Sequence, residues 1–203
     1  KGEGRLTPID EDRRLIEEYM PIEDVSDESA KEKGIRRGYL SNIHHWWARR
    51  PLIASRAAVF ASLVKYPYND KQREQLMNLM KRVCMWENTT NSGVFGKGKK
   101  AILESFNNKV PKILDCFGGG GSIPLEGSRL GCESYSNELN PVAYLIELCS
   151  LVYPQKYGVS KKNIEGFSSN VNPLVDKLKK WTKIIFDKST SDLKKYYNPE
   201  SSE

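Results

Sequence analysis

Apolar positions change texture three times along this chain. Residues 1–38 are charged and poor in large apolar groups, apart from LIEEYMPIEDV, which reads as an arm on a body with a short helix before Pro21. Ile53, Ala57, Phe60, Ala61 and Val64 then recur at helical spacing and predict a buried helix from about 51 to 65. Pro51 suits its first turn, where the missing N–H costs nothing. Over 70–86, Leu76, Leu79, Met80 and Val83 share one face of a second amphipathic helix, with Asn69 or Asp70 as its cap. The stretch 88–100, NTTNSGVFGKGKK, follows no period and is expected to be a mobile basic loop.

From Val110 short apolar runs alternate with helical ones. VPKILDCF reads as a strand, SIPLEGSRLG as a helix, CESYSNEL as a strand and NPVAYLIELCSLVY as a helix. Strand, helix, strand, helix in about 45 residues predicts a parallel α/β sheet. Residues 173–188 form another amphipathic helix, and the tail YYNPESSE reads as frayed or cut. The chain thus divides into a mainly helical region, 1–109, and an α/β portion, 110–203. Only two strands are legible in that portion, too few for a doubly wound sheet, so an edge is expected to stay unpaired.

Gly118 to Gly121, followed by Ser122, could be a flexible linker or a tight turn that holds a ligand. The flanks favour the turn. A strand ends at Leu114–Asp115 and a helix opens within a few residues, with Ser122 as its expected N-cap and Pro124 in its first turn. A glycine turn there lets a ligand meet bare backbone at a helix N-terminus. A P-loop would need Lys-Ser/Thr after the last glycine, where Ser122-Ile123 stands. A dinucleotide fingerprint would need a third glycine where Ile123 or Pro124 stands, so nicotinamide and flavin are disfavoured. Glu138 lies 23 residues after Asp115, near the spacing at which an acidic residue ending the second strand accepts ribose hydroxyls. Alone it would read as an exposed loop carboxylate; paired with the glycine turn it reads as a ligand group. Asn140 is placed to cap the next helix and Pro141 to start it.

Asp115, Phe117, Gly119 and Gly121 fit Asp-x-Phe-x-Gly-x-Gly, which resembles the first motif of S-adenosylmethionine-dependent DNA methyltransferases of the amino-group class. With HHWWARRPL before it and NELNPVAYLIE after it, the chain resembles, over about residues 13–155, the adenine-specific DNA methylases that carry a zinc ribbon and an uncharacterised N-terminal region. The resemblance implies a Rossmann-like methyltransferase fold with a partial parallel sheet, preceded by a mainly helical region. It implies transfer of a methyl group from S-adenosyl-L-methionine to the exocyclic amine of adenine in DNA. Asp115, Phe117, Gly119, Gly121, Ser122, Glu138 and Asn140 are then expected to bind the cofactor. His45, Arg49, Arg50 and Pro51 occupy a place similar to a His/Lys-Pro segment that lines the methionine end of that pocket, though some 40 extra residues separate them from the strand. An arginine would pair with the cofactor carboxylate, and Trp46 or Trp47 would stack near the sulfonium. The alternative is that both tryptophans are core and the arginines reach solvent or LIEEYMPIEDV.

The family's acceptor motif, Asn/Asp/Ser-Pro-Pro-aromatic, does not occur: Asn140-Pro141, Asn172-Pro173 and Asn198-Pro199 are followed by Val, Leu and Glu. The cysteines, Cys84, Cys116, Cys132 and Cys149, form no C-x-x-C pair, so no zinc ribbon can be built and most read as core residues. The chain is therefore expected to hold the cofactor half of a methylase. The rest would come from further residues of the same chain or from a second chain, or catalysis has been lost; the first is favoured. Across 203 residues, a net charge of +6 and a pI of about 9.0 suit an anionic partner such as DNA, and equally a solvated lysine-rich surface. Adjacent histidines and scattered acids give no metal site. No apolar run is long enough for a membrane span, and the cysteine usage suits a reducing cytoplasm. Two other functions stay open: methylation of RNA, because these motifs do not see the acceptor, and a non-catalytic nucleic-acid-binding or scaffold subunit.

Overall fold

The structure, a computed structural model, describes residues 12–34, 43–158 and 172–197. The start of the charged arm, its residues 35–38 and the tail from Asn198 lie outside the described residues. The chain divides into two compact units, Lys1–Ser150 and Leu151–Glu203.

The first unit is built around one helix. α3 (Leu52–Leu63) buries Leu52, Ile53, Ala57, Phe60 and Ala61 and has no polar face, so neighbours must surround it. α1 (Leu15–Glu18), α2 (Ile22–Lys33), α4 (Asp70–Cys84), α5 (Ser92–Ser105) and α6 (Ser122–Arg129) supply them. α4 presents Leu76, Met80 and Val83 as expected, and Asn69 is its cap, accepting the N–H groups of Lys71 and Gln72. α1 ends before Pro21. It is tied to the far end of α3 by Leu15 N–H to Val64 O and by the Arg14 guanidinium to Leu63 O.

The expected loop at 88–100 is corrected: a single-turn 3₁₀ helix, Trp86–Thr90, leads into α5, capped by the Asn91 side chain on the N–H groups of Gly93 and Val94. One of the glycines that spoil the helical period, Gly98, is where α5 packs closely. A Cβ on Gly98 would stand 3.5–3.6 Å from Val83, Leu130 and Phe60, so three elements converge on its bare backbone. α2 was not expected either. Its sequence is polar, and it is held by side chains rather than by an apolar stripe: Glu28 accepts Trp86 N–H at 2.6 Å, and Lys81 pairs with Asp24 at 2.9 Å.

β1 (Lys112–Asp115) and β2 (Glu133–Ser136) pair in parallel, with Asp115 opposite Ser136 and α6 as the crossover. The molecule is thus a mixed α/β protein, mostly helical, with a two-stranded parallel sheet among the described residues. Gly127 lets α6 lie directly on the strands, because a Cβ there would collide with Ile113 and crowd Ser134 Oγ. On the opposite face, Leu114 and Tyr135 are exposed. α7 (Pro141–Glu147) follows β2 and continues into a π-helical turn, Leu148–Val152.

One buried ion pair joins the helical region to the α/β portion. Arg56 of α3 and Glu126 of α6 are both fully buried, with Arg56 Nε donating to Glu126 Oε2 at 2.6 Å. Arg56 also donates to Val83 O at 3.0 Å and lies over the Phe95 ring. Arg129 donates to the other Glu126 oxygen at 2.8 Å.

In the second unit, α8 (Tyr153–Tyr157) precedes α9 (Pro173–Leu193), which matches the expected amphipathic helix and runs past it. Asn172 caps α9 through the N–H groups of Leu174 and Val175. Leu178, Trp181 and Ile185 are exposed along it. Among the described residues, no helix is long and apolar enough to cross a membrane. Cys84 and Cys132 are buried, and burial pushes their thiols up to about 12 and about 11; Cys149 is half-buried and Cys116 exposed.

Two predictions follow from this packing. Glu126→Leu strands the Arg56 charge and should cost about 3–5 kcal/mol in urea unfolding, whereas Arg56→Met with Glu126→Leu should recover most of that loss. Gly96→Ala, in an open position within α5, should raise stability by about 1 kcal/mol, while Gly127→Ala should lower it by about 1–3 kcal/mol.

Candidate functional site

The glycine turn forms where β1 ends. Asp115 Oδ1 accepts the Phe117 N–H at 3.1 Å, which turns the chain out of the strand. Gly119 (φ 54°) and Gly121 (φ 73°) are left-handed, a region a side chain would strain. Gly118 is fixed by space instead: a Cβ there would collide with Glu147 Oε1 and Ser136 Oγ. The expected capping role of Ser122 is corrected. Gly121 holds the N-cap position in its left-handed conformation, Ser122 is the first helical residue, and its hydroxyl donates to Arg50 O at 2.7 Å.

Glu138 braces the turn from the end of β2. Its Oε2 accepts the Gly119 N–H at 2.7 Å and its Oε1 the Asn140 N–H at 2.9 Å. These two bonds hold its pKa below the ordinary carboxylate value. Asn140 caps α7 by accepting the Val142 N–H at 2.9 Å, and Pro141 opens that helix.

The HHWWARRP segment lies against the same turn, although about 70 residues separate the two in sequence. A Cβ on Gly119 would come within 3.0 Å of Trp46 Nε1, and one on Gly120 within 3.1–3.4 Å of the Arg49 stem. Pro51 precedes α3, whose first N–H groups, from Leu52 and Ile53, are accepted by Glu32 Oε2 at 2.7 and 3.3 Å. Glu32 thus caps α3 from α2. Burial raises its pKa, and the same carboxylate partly offsets the burial that lowers the pKa of Arg49.

A cavity of about 320 Å³ opens between these parts, near the small end of the roughly 300–1,000 Å³ typical of ligand pockets. Of the expected residues, Arg50, Asp115, Phe117, Gly119, Ser122 and Glu138 line it, and so does Trp46. Arg49, Pro51, Gly121 and Asn140 are not among the lining residues, and neither is Trp47, whose side chain is exposed. His45 is exposed as well. Among the described residues, no group of three or more His, Cys, Asp or Glu could hold a metal ion.

Sequence reasoning missed Glu147, Ser136 and Glu32. Glu147 is buried behind the turn and accepts the Ser136 hydroxyl at 2.7 Å. Burial raises its pKa, and the nearby charges of Glu138 and Asp115 push the same way. Its only sequence signal is position: two turns after the Asn140 cap, it returns to the helix face that meets the strands.

A family described as a protein of unknown function, DUF1156, matches residues 19–84. That span carries α2, α3, α4 and HHWWARRP, and it ends before the glycine turn. No curated protein and no solved structure matches the chain.

The raised pKa of Glu147 sets a pH dependence. Its folded value exceeds the ordinary 4.5, so the stability linked to its proton is present below that value and is lost as pH rises through the folded pKa. Melting curves recorded above pH 4.5 should show this loss in the wild type and a flatter profile in Glu147→Gln.

Proposed function

We propose that this chain carries the cofactor site of an S-adenosyl-L-methionine-dependent methyltransferase that acts on the exocyclic amine of adenine in DNA. The observation that carries the reading is the cavity at the C-terminal ends of two parallel strands, where open α/β sheets bind ligands. Its floor is bare glycine backbone, its β2 side carries Glu138, and Trp46 and Arg50 close it.

The side chains fit that cofactor chemically. Glu138 spends two acceptor positions on Gly119 and Asn140, and a carboxylate has about four, so it can still accept ribose hydroxyls. Arg50 supplies a cation for a carboxylate, and the Trp46 ring supplies a face for a sulfonium. Asp115 and Glu138 add negative charge, which favours a positively charged ligand over its neutral demethylated product. Bound there, S-adenosylmethionine would supply a methyl group already activated by positive sulfur. The protein's part is to hold donor and acceptor in line and to exclude water.

An acceptor side must be added to this half. We assign it to residues that extend the sheet, in the same chain or a second one. Among the described residues, the outer edges of β1 and β2 are unpaired, and Leu114, Tyr135 and Leu139 are exposed beside them. The doubly wound Rossmann-like sheet belongs to that completed assembly.

The test is calorimetric titration of S-adenosylmethionine into the folded chain. One-site binding is expected, weakened at least about tenfold by Glu138→Ala, or roughly 1.4 kcal/mol. Absence of binding by the folded protein, or a Glu138→Ala variant that binds as tightly as wild type, would overturn this reading.

A further inference from the structure

Trp46 and Trp47 stack with ring centroids 5.1 Å apart and planes inclined by 17°. Trp46 is seated against Gly119 in the cavity wall, and Trp47 is 79% exposed. An indole so exposed gives up the burial that usually holds a tryptophan in place, and its stacking partner is itself anchored. Two arginines and two histidines neighbour it in the chain. His44, His45 and Arg50 are exposed, Arg49 is half-buried, and no acidic residue occurs between Ile43 and Asn69. The nearby carboxylates are turned to other work: Glu32 caps α3, Asp115 holds the turn, and Glu138 bridges Gly119 and Asn140. An exposed aromatic face stacked on a wall residue of the cavity, with arginine and imidazole N–H donors close in sequence, suits a flat ring carried on an anionic backbone.

We propose that Trp47 is a stacking platform for an unpaired nucleobase, with the adjacent exposed histidines, His44 and His45, donating to the sugar–phosphate chain that carries it. The proposal rests on the reading of the chain as a nucleic-acid methyltransferase and adds the surface that receives the acceptor strand. Trp46 fixes the height and tilt of the platform, so the base would arrive beside the cavity rather than inside it. Stacking of this kind tolerates any base and gives affinity without sequence preference.

The test uses fluorescence anisotropy at fixed salt with two labelled single strands of equal length, an oligodeoxyadenylate and an abasic sugar–phosphate chain. Trp47→Ala should weaken binding of the oligodeoxyadenylate by about 5- to 100-fold and of the abasic strand by less than about twofold. Trp47→Phe, which keeps an aromatic face, should recover part of the loss. Equal losses on both strands, or no loss in a variant with an unchanged melting temperature, would overturn the platform. An oligoriboadenylate arm shows which sugar is preferred, and Trp47-dependent binding of either strand supports the platform. S-adenosylmethionine is titrated into the same preparations. Cofactor binding without Trp47-dependent strand binding overturns the platform alone. Trp47-dependent strand binding without cofactor binding overturns the cofactor reading alone. Loss of cofactor affinity in Trp47→Ala assigns the ring to the cofactor pocket and also overturns the platform.

Discussion

The buried pair Arg56–Glu126 is the constraint on which the first unit depends. An arginine buried in a mostly apolar helix needs a counter-charge, and the fully buried carboxylate that meets it among the described residues stands on α6. The pair fixes how α3 and α6 cross. Because α6 begins at the glycine turn and α3 at Pro51, it also sets the distance between the turn and the HHWWARRP segment. The Ser122 hydroxyl on the Arg50 carbonyl is the local consequence of that registration.

Most of the secondary structure was legible, for identifiable reasons. α3, α4 and the strand–helix–strand run carry strong periods, and Asn69, Asn140 and Pro51 are caps or starts of the usual chemistry. α5 was hidden because three glycines and three lysines mask its period, and close contact at Gly98 replaces side-chain packing. α2 was hidden because its fixed points, Glu28 and Glu32, are carboxylates that accept backbone N–H groups from distant helices. No local pattern announces such a partner.

The candidate site shows the same division. Asp115, Gly119 and Glu138 could be named because a strand end, a left-handed turn and a fixed spacing are properties of sequence. That Trp46 rather than Trp47 lines the cavity could not be read, since adjacent aromatics differ only in which side of the chain they take. Glu147 could not be read either: its role depends on the space above Gly118, which exists only once α7 has folded back onto β2. The DUF1156 match covers the region that contributes Trp46 and Arg50 and stops short of the glycines. The two walls of the cavity thus come from sequence blocks on either side of that boundary.

The burial of Arg56 and the apolar side chains of α3 has a consequence for synthesis of the chain. Arg56 precedes Glu126 by 70 residues. At about 5–20 residues per second, the ribosome exposes α3 for roughly 4–14 s before α6 can cover it. During that interval the Arg56 guanidinium has no buried counter-charge, although α4 and α5 are made before α6 and can already pack on the apolar side chains. α1 and α2, which emerge earlier, are the first partners available to α3.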